Sequence, residues 1–572
     1  MQCDLPPRCP KSREVSSSAY WYRIRGAPDD QWRGIICQYC YAQNIKDTPF
    51  ADDFEQVQSP EGVATSCRFW TPRVSNLFSS VLSGLSSLDA LVNYMRVRAE
   101  IPPCPGSNTV NADANYLCFG TTAIEGLTVC EACTEDWLGV FSDHTIGQYP
   151  AGTFDEWQCA MRRPSIQRSV RRAFEADDWD ACVKAVADCL ALQLPVCTGQ
   201  ETFWSSNPWY ASRSNKYYIC MTCFVEETML TEFEDEFEFE TGQNLDIAER
   251  LTGLRKCALG ASPPMQCAVR VAIEHNDKDA FHQAISLLCQ LPPCTAHITS
   301  EYYWTLPGGC TTFSVCYPCF IGRFWVPGYC CLLEQRKLEP NVALACAFNT
   351  SHPRCQEYIL ALGDAVDRGN SSIFFDFITK YSSIPVCPRN TAVAGRAWWG
   401  HPEVLFCEDC YESWAKELPL PDSLPVQGQV IEDPCICQIW SPRMRTLWTA
   451  VCAAECRGAA ISEFRDIGSQ RLQVYLETVP RIEQIRAIQR AYGQNVAAQA
   501  MAAANYADMQ TLKVASGVSG SETYGSSSLG WHETREGAEA SKASQAMFSN
   551  VNASNSLAAE LCQLAARWDG VE

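Results

Sequence analysis

Apolar positions along this chain alternate between two spacings. Short aromatic clusters come first in each cycle, and they predict short strands because aromatic side chains suit a half-buried pleated surface. The clusters are Trp21 and Tyr22, Tyr116 and Phe119, Trp209 and Tyr210, Tyr302, Tyr303 and Trp304, and Trp398 and Trp399. Apolar residues then recur every three or four positions, which predicts a pair of helices. The clearest run is Ile166, Val170 and Phe174, followed by Val183, Val186 and Leu190.

A proline marks the expected start of each helical pair, since proline suits the first turn of a helix. These prolines are Pro72, Pro164, Pro263, Pro353 and Pro442. Beyond residue 458 the pattern predicts long helices, with Pro480 restarting a second apolar run. Residues 516–555 are rich in Gly, Ser, Ala and Asn and predict a flexible tether. A last apolar stripe that includes Leu561 and Trp568 predicts a helix that docks, with its own repeats favoured over a partner.

The motif Cys-x-x-Cys occurs five times inside this cycle. The first cysteines of the five copies lie 93, 90, 96 and 91 residues apart. A second marker, Pro followed by one or two residues and then Cys, has spacings of 95, 93, 97 and 93. Two markers with the same period indicate tandem repeats of about 95 residues.

Each repeat supplies four cysteines at matching places: the Pro-x-Cys cysteine, the Cys-x-x-Cys pair and a later single cysteine. Two cysteines of one tight turn bind one ion, and two distant thiolates complete the tetrahedron that Zn²⁺ adopts in structural sites. The sequence therefore predicts about five structural zinc ions. The predicted ligands are Cys9, Cys37, Cys40 and Cys67; Cys104, Cys130, Cys133 and Cys159; Cys197, Cys220, Cys223 and Cys257; Cys294, Cys316, Cys319 and Cys346; and Cys387, Cys407, Cys410 and Cys437.

Two alternatives remain open for these cysteines. All of them could be buried free thiols, which behave as small hydrophobes. In the fifth repeat the last ligand could be Cys435, although Cys437 keeps the distance to Pro442. The 14 other cysteines are interpreted mainly as core thiols.

Catalytic motifs are missing from the sequence. A closed site of four cysteines leaves no coordination position at which water could be activated. No Gly-rich phosphate loop, Gly-x-Ser-x-Gly or His-Glu-x-x-His is present. His144 beside Asp143 is a candidate base, but an exposed loop histidine is the simpler interpretation. The sequence thus favours a protein that is not an enzyme.

Composition and charge narrow the class of protein. With 47% hydrophobic residues, the 572-residue chain can bury several cores. A net charge of −21 argues against nucleic acid as the main partner. There is neither a secretory signal nor an apolar run long enough to span a membrane. We therefore expect an intracellular protein, cytoplasmic or nuclear, whose cysteines are thiols or metal ligands.

The predicted fold class is α+β, with five tandem repeats. Each repeat is a small four-cysteine zinc subdomain followed by a helical pair, and the repeats form an elongated or curved array with C-terminal helices. Contacts are expected between neighbouring repeats only. The expected boundaries are 1–101, 102–194, 195–291, 292–384 and 385–457 for the repeats, the fifth being truncated, then 458–515 for C-terminal helices, 516–555 for the tether and 556–572 for an amphipathic helix.

Departures from the repeat pattern are candidate partner surfaces. The third repeat alternates phenylalanine with acidic residues over 232–240, which predicts either an edge strand or a solvated loop. The second repeat has five arginines between residues 162 and 172, which could contact the acidic residues of the third.

The chain resembles a family of filamentous-fungal Cys-rich repeat proteins. The resemblance rests on the Cys-x-x-Cys-aromatic units (Cys37 to Tyr41, Cys407 to Tyr411), the helix start at 441–445 and the segments 471–480 and 567–572. Members of this family are often labelled integral membrane protein or Ser/Arg-related nuclear matrix protein. This sequence has neither a span nor a Ser-Arg tract, and the family implies no established activity.

Together these features predict a non-enzymatic zinc-binding scaffold or adaptor for protein–protein interaction or self-assembly. Its protein partner is not identified by the sequence, and the C-terminal helices are the candidate site for a homo-oligomer. Two other classes stay open. One is a redox or metal-handling protein that uses the Cys-x-x-Cys pairs, and the other is a secreted disulfide-rich protein.

Overall fold

The computed structural model confirms an α+β fold and divides the chain into two compact units, residues 1–383 and 384–572. It describes the whole chain except residues 1–7, 12, 16–17, 26–34, 61–62, 64, 107, 112–115, 142–143, 151, 193, 204–207, 214–216, 241–252, 311, 341, 420–423, 455–456 and 516–534. The first unit holds four repeats and the second holds the fifth repeat with the C-terminal helices. In the described part of the chain, every helix is too short or too polar to cross a lipid bilayer.

Each repeat begins with a small antiparallel sheet and a short helix at the Cys-x-x-Cys motif. This helix follows a strand in repeats 1, 2, 3 and 5 and an isolated β-bridge in repeat 4. The strands are β1 (Tyr20–Ile24), β2 (Ile36–Cys37), β3 (Phe54–Gln58), β4 (Val110–Asn111), β5 (Cys118–Thr121), β6 (Ile124–Cys130), β7 (Gly147–Gln148), β8 (Glu156–Trp157), β9 (Glu201–Phe203), β10 (Trp209–Ser212), β11 (Tyr218–Cys220), β12 (Phe237–Glu240), β13 (Leu254–Lys256), β14 (Tyr302–Thr305), β15 (Glu334–Lys337), β16 (Arg396–His401), β17 (Val404–Cys407) and β18 (Val426–Ile431). The predicted aromatic clusters of repeats 1, 3, 4 and 5 lie on β1, β10, β14 and β16, and Phe119 lies on β5.

We call the short helix that begins inside each Cys-x-x-Cys motif the knuckle helix. The knuckle helices are α1 (Gln38–Asn44), α4 (Glu131–Trp137), α7 (Met221–Cys223), α11 (Tyr317–Phe320) and α14 (Glu408–Ser413). In the third and fourth repeats a π-helical turn continues the knuckle helix, over Phe224–Thr228 and Ile321–Trp325.

A pair of antiparallel helices completes each of the first four repeats. The paired helices are α2 (Pro72–Leu82) and α3 (Leu88–Glu100), α5 (Pro164–Glu175) and α6 (Trp179–Ala191), α9 (Pro263–His275) and α10 (Lys278–Gln290), and α12 (Cys355–Asp367) and α13 (Ser371–Tyr381), with the single turn α8 (Ala258–Ala261) before α9. Proline starts the first helix of the pair in repeats 1, 2 and 3, as predicted. In the fourth repeat the prediction is wrong, because the helix begins at Cys355 and Pro353 precedes it in a turn.

Neighbouring repeats of the first unit pack in one recurring way. The knuckle helix of each repeat lies against the start of the first paired helix of the repeat before it. The contact is made by the residue three positions after the second Cys of the motif. In repeats 2 and 3 this residue is an acid, Asp136 or Glu226, that binds arginines of the preceding repeat. In repeat 4 it is Gly322, and an added Cβ there would lie 2.2 Å from the carbonyl oxygen of Pro264.

Contacts in the first unit are not limited to neighbouring repeats, so that expectation is wrong. Residues before β1 contact the third and fourth repeats. Lys11 Nζ lies 2.6 Å from Glu274, and Arg13 binds both Asp364 and Asp367. The array of four repeats is therefore curved enough to bring its first member to its last.

The second unit departs from the predicted helices in two places. The fifth repeat has α15 (Pro442–Ala453) and then one continuous 59-residue helix, α16 (Arg457–Ala515). Pro480 lies inside α16 and does not start a new helix. Proline has no N–H, so the backbone carbonyl of Leu476 lacks its helical donor, and Leu476 is itself exposed to solvent.

The segment 516–555 was expected to be a flexible tether. Residues 516–534 lie outside the described part of the chain, and the remainder forms helix α17 (Arg535–Ser556). Five alanines between residues 538 and 553 favour this helix, and α17 packs along α16. Composition alone predicts a coil here, because serine and asparagine surround these alanines.

The last helix, α18 (Ala558–Asp569), docks on the fifth repeat's own unit. Trp568 is buried with Ile436, Tyr475 and Val479. Arg443 donates to the carbonyl of Gly570 at 3.0 Å. The equivalent arginine of repeat 1, Arg73, donates to the Gly139 carbonyl of the next repeat. Residues 568–572 therefore occupy, on repeat 5, the place that the next repeat occupies on repeat 1.

Candidate metal centres

The structure brings cysteine sulfurs together in five groups of four. Within each group all four Sγ atoms lie within 4.8 Å of one another. The groups contain the same residues that the spacing predicted, one group to each repeat: Cys9, Cys37, Cys40 and Cys67; Cys104, Cys130, Cys133 and Cys159; Cys197, Cys220, Cys223 and Cys257; Cys294, Cys316, Cys319 and Cys346; and Cys387, Cys407, Cys410 and Cys437.

The Cys-x-x-Cys pair owes its geometry to the strand that ends and the helix that begins there. Cys37 has extended backbone angles (φ −71°, ψ 158°) and precedes α1, so its sulfur faces the first turn of that helix. The N–H of Cys40 donates to Cys37 Sγ at 3.4 Å. The fifth repeat repeats this bond between Cys410 and Cys407, also at 3.4 Å. These two positions are therefore set by local structure.

The later single cysteine, which is distant in sequence, is held by a hydrogen bond to the backbone of the Cys-x-x-Cys motif. In repeats 1, 3, 4 and 5 its sulfur accepts the backbone N–H of the first motif cysteine at 3.4 Å. The opening cysteine lies in a turn, where Cys104 Sγ, for example, accepts from the N–H of Gly106 at 3.4 Å. Backbone N–H groups directed at sulfur stabilise thiolates, which are the form that binds metal.

This donor set fits a tetrahedral Zn²⁺ ion. Zinc–sulfur bonds of about 2.3 Å at tetrahedral angles place the sulfurs roughly 3.8 Å apart, which is within the observed limit. The four sulfurs also affect one another's protonation. Contacts with Cys130, Cys133 and Cys159 lower the pKa of Cys104, and the contact with Cys104 is the main reason that the pKa of Cys133 is raised. A divalent cation can replace the shared protons.

Side chains outside the quartets, which the repeat pattern does not mark, contact some of these groups. The Asn349 side-chain amide donates to Cys294 Sγ at 3.3 Å, and Arg445 approaches Cys410 Sγ at 3.8 Å. Asp409 accepts the N–H of Cys387 at 2.9 Å, which ties the opening turn of repeat 5 to its knuckle helix. Since these residues differ between repeats, the repeat period could not have pointed to them.

The third group is the most accessible of the five. Two of its cysteines, Cys197 and Cys220, are partly exposed, whereas each other group has one partly exposed member. A cavity of about 320 Å³ borders Cys197, Cys220 and Cys257, and apolar residues that include Leu194 and Val196 also line it. A Cβ at Gly260 would lie 2.3 Å from Cys197 Sγ, so a glycine is needed for the close approach of the chain to this sulfur.

The other cysteines lie outside the quartets. Cys435 takes part in an isolated bridge with Val393, and the nearby Cys437 is the member of the fifth group. Burial raises the pKa of Cys182 to about 12, as expected for a core thiol. Of the cysteines that the structure describes, thirty-one have free thiols and Cys331 is disulfide-bonded.

The candidate base and the acidic segment can also be placed. His144 is exposed and stacks on Trp179 at 4.6 Å, and Asp143 lies outside the described residues. The segment 232–240 ends in the edge strand β12, in which Phe237 is buried and Phe239 is exposed. The predicted contact of the second repeat's arginines with the third repeat is made through Glu226, which Arg163 Nε contacts at 2.8 Å.

Comparisons with protein-family models, with curated proteins and with solved structures find no match to this chain.

Proposed function

We propose that this chain is a non-enzymatic zinc-binding scaffold or adaptor. About five structural zinc ions hold the repeats, and the surfaces of the repeats bind other proteins. We also propose that the protein is intracellular, in the cytoplasm or nucleus, and that it is related to the filamentous-fungal Cys-rich repeat proteins. The single observation that carries it is the presence of five four-sulfur groups, one in every repeat.

The chemistry of these groups favours a structural role. A four-thiolate site is closed, so its binding energy contributes to folding and no position remains for a substrate. Each group links three separate parts of its repeat: the opening turn, the knuckle helix and the segment before the paired helices. A repeat array stabilised in this way presents an extended surface, which suits protein partners.

Of the two other classes, neither is favoured by a specific contact. Thirty-one free thiols do not suit a protein held by a framework of disulfides. A redox protein needs an exposed motif cysteine, yet Cys37, Cys130, Cys316 and Cys407 are all buried, and the partly exposed Cys220 is the exception.

Metal analysis of the purified chain tests the proposal. We expect about five zinc ions per chain, since each quartet suits one ion. The variant Cys407→Ser with Cys410→Ser should contain about four zinc ions without global unfolding, because each ion folds mainly its own repeat.

The fifth repeat also offers a matched pair of single substitutions. Cys437→Ser removes a member of the quartet, whereas Cys435→Ser changes a cysteine two residues away that lies outside it. We expect one ion to be lost from the first variant and none from the second. A wild-type chain without bound metal, or equal loss from both variants, would contradict the proposal.

A further inference from the structure

The cavity beside the third quartet differs from an ordinary apolar cleft because sulfur atoms form part of its wall. Cys197 and Cys220, which are both partly exposed, line it together with Cys257. Much of the remaining wall is apolar and includes Leu194 and Met221. Of the described residues that form the wall, none is Asp, Glu, Lys, Arg or His. The thiolates are therefore the charged groups of this wall.

Bound zinc does not cancel the charge of these sulfurs. Four thiolates around one Zn²⁺ leave a formal charge of about −2. The N–H of Cys220 donates to Cys257 Sγ at 3.4 Å, but no described side chain outside the quartet donates to its sulfurs. Arg270 interacts with the charge of Cys223, yet it lies outside the wall and its Nε is 2.8 Å from Glu227. Negative charge therefore borders the cavity without a cation on the wall.

Two other repeats show which groups such sulfurs contact. In the fifth, the Arg445 guanidinium lies 3.8 Å from Cys410 Sγ. In the fourth, the side-chain amide of Asn349 donates to Cys294 Sγ at 3.3 Å. A guanidinium suits this role because its five N–H donors form a rigid, permanently charged fork. The chain supplies N–H donors to these two quartets itself, whereas the cavity of the third repeat leaves space for a donor from outside.

The apolar part of the wall suits the stem of the same kind of side chain. Val196 on this wall is 87% exposed, and Leu194 and Met221 are partly buried. Arginine packs its methylene groups along apolar surface while its charged end reaches a polar group. The volume of about 320 Å³ is at the low end for ligand sites, which suits one side chain better than a large cofactor.

We propose that the cavity of the third repeat binds an arginine side chain of a partner protein. The guanidinium contacts Cys197 and Cys220, and the stem packs on Leu194, Val196 and Met221. The net charge of −21 favours the approach of a basic partner. This inference rests on the scaffold proposal, because bound zinc sets the charge of the sulfurs, and it specifies the chemistry of the partner.

Methyl NMR of the full-length, zinc-loaded chain labelled at methionine tests the inference. The probe is N-acetyl-arginine amide, and the control ligand is its uncharged isostere, N-acetyl-citrulline amide. We expect the Met221 methyl signal, identified with Met221→Leu, to shift saturably with the arginine probe at millimolar concentration. The citrulline control should bind at least about tenfold more weakly, because it lacks the charge. Met161, which lines a cavity beside the second quartet, should not shift.

A matched pair of substitutions at Gln200 places the binding in this cavity. Gln200 is exposed and forms part of the wall. Gln200→Lys gives the wall a cation of its own, so it should weaken binding of the arginine probe at least about tenfold. Gln200→Met has a similar size without charge and should change binding less than about twofold. The zinc content of both variants establishes that the quartets are intact.

Three results would overturn the inference: no shift of the Met221 signal, equal binding of the arginine and citrulline probes, or equal binding of the arginine probe by the two Gln200 variants. If any of these is found in a chain that holds about five zinc ions, the scaffold proposal is unaffected. A chain that binds no zinc would overturn both proposals. Metal analysis therefore distinguishes the two failures.

Discussion

At the scale of single residues, the exposure of individual cysteines differs between groups that are otherwise alike. Four groups contain three buried cysteines and one that is partly exposed, but the third contains two of each. The cavity beside Cys197 and Cys220 gives small molecules a route to these sulfurs. Access to the ligands controls how readily a chelator can begin to remove an ion.

We therefore predict that a competing chelator removes zinc from the third repeat first. Release of metal should show one fast equivalent followed by about four slow ones, measured with a colorimetric zinc indicator. The variant Cys220→Ser with Cys223→Ser should lack the fast phase. The corresponding change in the second repeat, Cys130→Ser with Cys133→Ser, should retain it, and a fast phase that survives in the first variant would refute the prediction.

At the scale of elements, the knuckle helix has two roles in repeats 2 to 4, since it supplies the second motif cysteine to its own repeat and contacts the repeat before it. Asp136 illustrates the second role. It accepts from Tyr94 at 2.6 Å and from Arg98 Nε at 2.9 Å, and Arg68 lies 3.4 Å away. All four side chains are buried at the interface between repeats 1 and 2.

Asp136→Asn should destabilise this interface strongly. The substitution leaves two buried arginines without a counter-charge, and the loss of one partner from a buried ion pair costs about 3–5 kcal/mol. Equilibrium denaturation measures the change. Glu135→Gln, on the same helix, is the control, and a loss smaller than about 0.5 kcal/mol in Asp136→Asn would contradict the assignment.

At the scale of the whole molecule, each compact unit is held by contacts between residues far apart in sequence. In the second unit, residues 568–572 stand in for a following repeat, since Arg443 binds Gly570 as Arg73 binds Gly139. Such an end piece covers a face that would otherwise be open. In the first unit, the segment before β1 connects repeat 1 to repeat 4 through Arg13, Asp364 and Asp367.

The contact between repeats 1 and 4 should depend on pH through Asp367. Burial raises the pKa of this carboxyl to about 6, and attraction to Arg13 offsets only part of the effect. The folded state therefore binds the proton more tightly than the unfolded state, whose pKa is about 3.9. The contribution of this group to stability falls as pH rises through that interval, and the fall is complete above pH 6.

The comparison that isolates this effect is between wild type and Asp367→Asn in excess zinc. The difference in unfolding free energy, wild type minus variant, should decrease by about 1 kcal/mol between pH 5 and 7.5. The protonation of the cysteines is common to both proteins and cancels in the difference. A difference that is constant or increases across this range would show that Asp367 does not titrate as described.

The grouping of cysteines could be predicted because it depends on a period. Residues at the same position in each repeat occupy the same place in the fold. Four cysteines that recur at matching positions in five repeats can therefore be grouped from the sequence alone. The strands and most helix starts followed from local preferences, such as that of proline for a first helical turn. Local preferences failed to predict three features: the start of α12, the continuation of α16 through Pro480, and helix α17. At these places packing against neighbouring elements outweighs the local preference.

The sequence alone therefore determined the repeats, the four-sulfur groups and the α+β class, because each depends on residue type at a regular spacing. Only the tertiary structure decided three kinds of contact. These are the contacts of the acids Asp136 and Glu226 with the preceding repeat, the contact between the segment before β1 and repeat 4, and the docking of α18 on its own unit. These contacts join residues that occur once and lie far apart in the chain. Nothing periodic marks such residues, and only the folded chain brings them together.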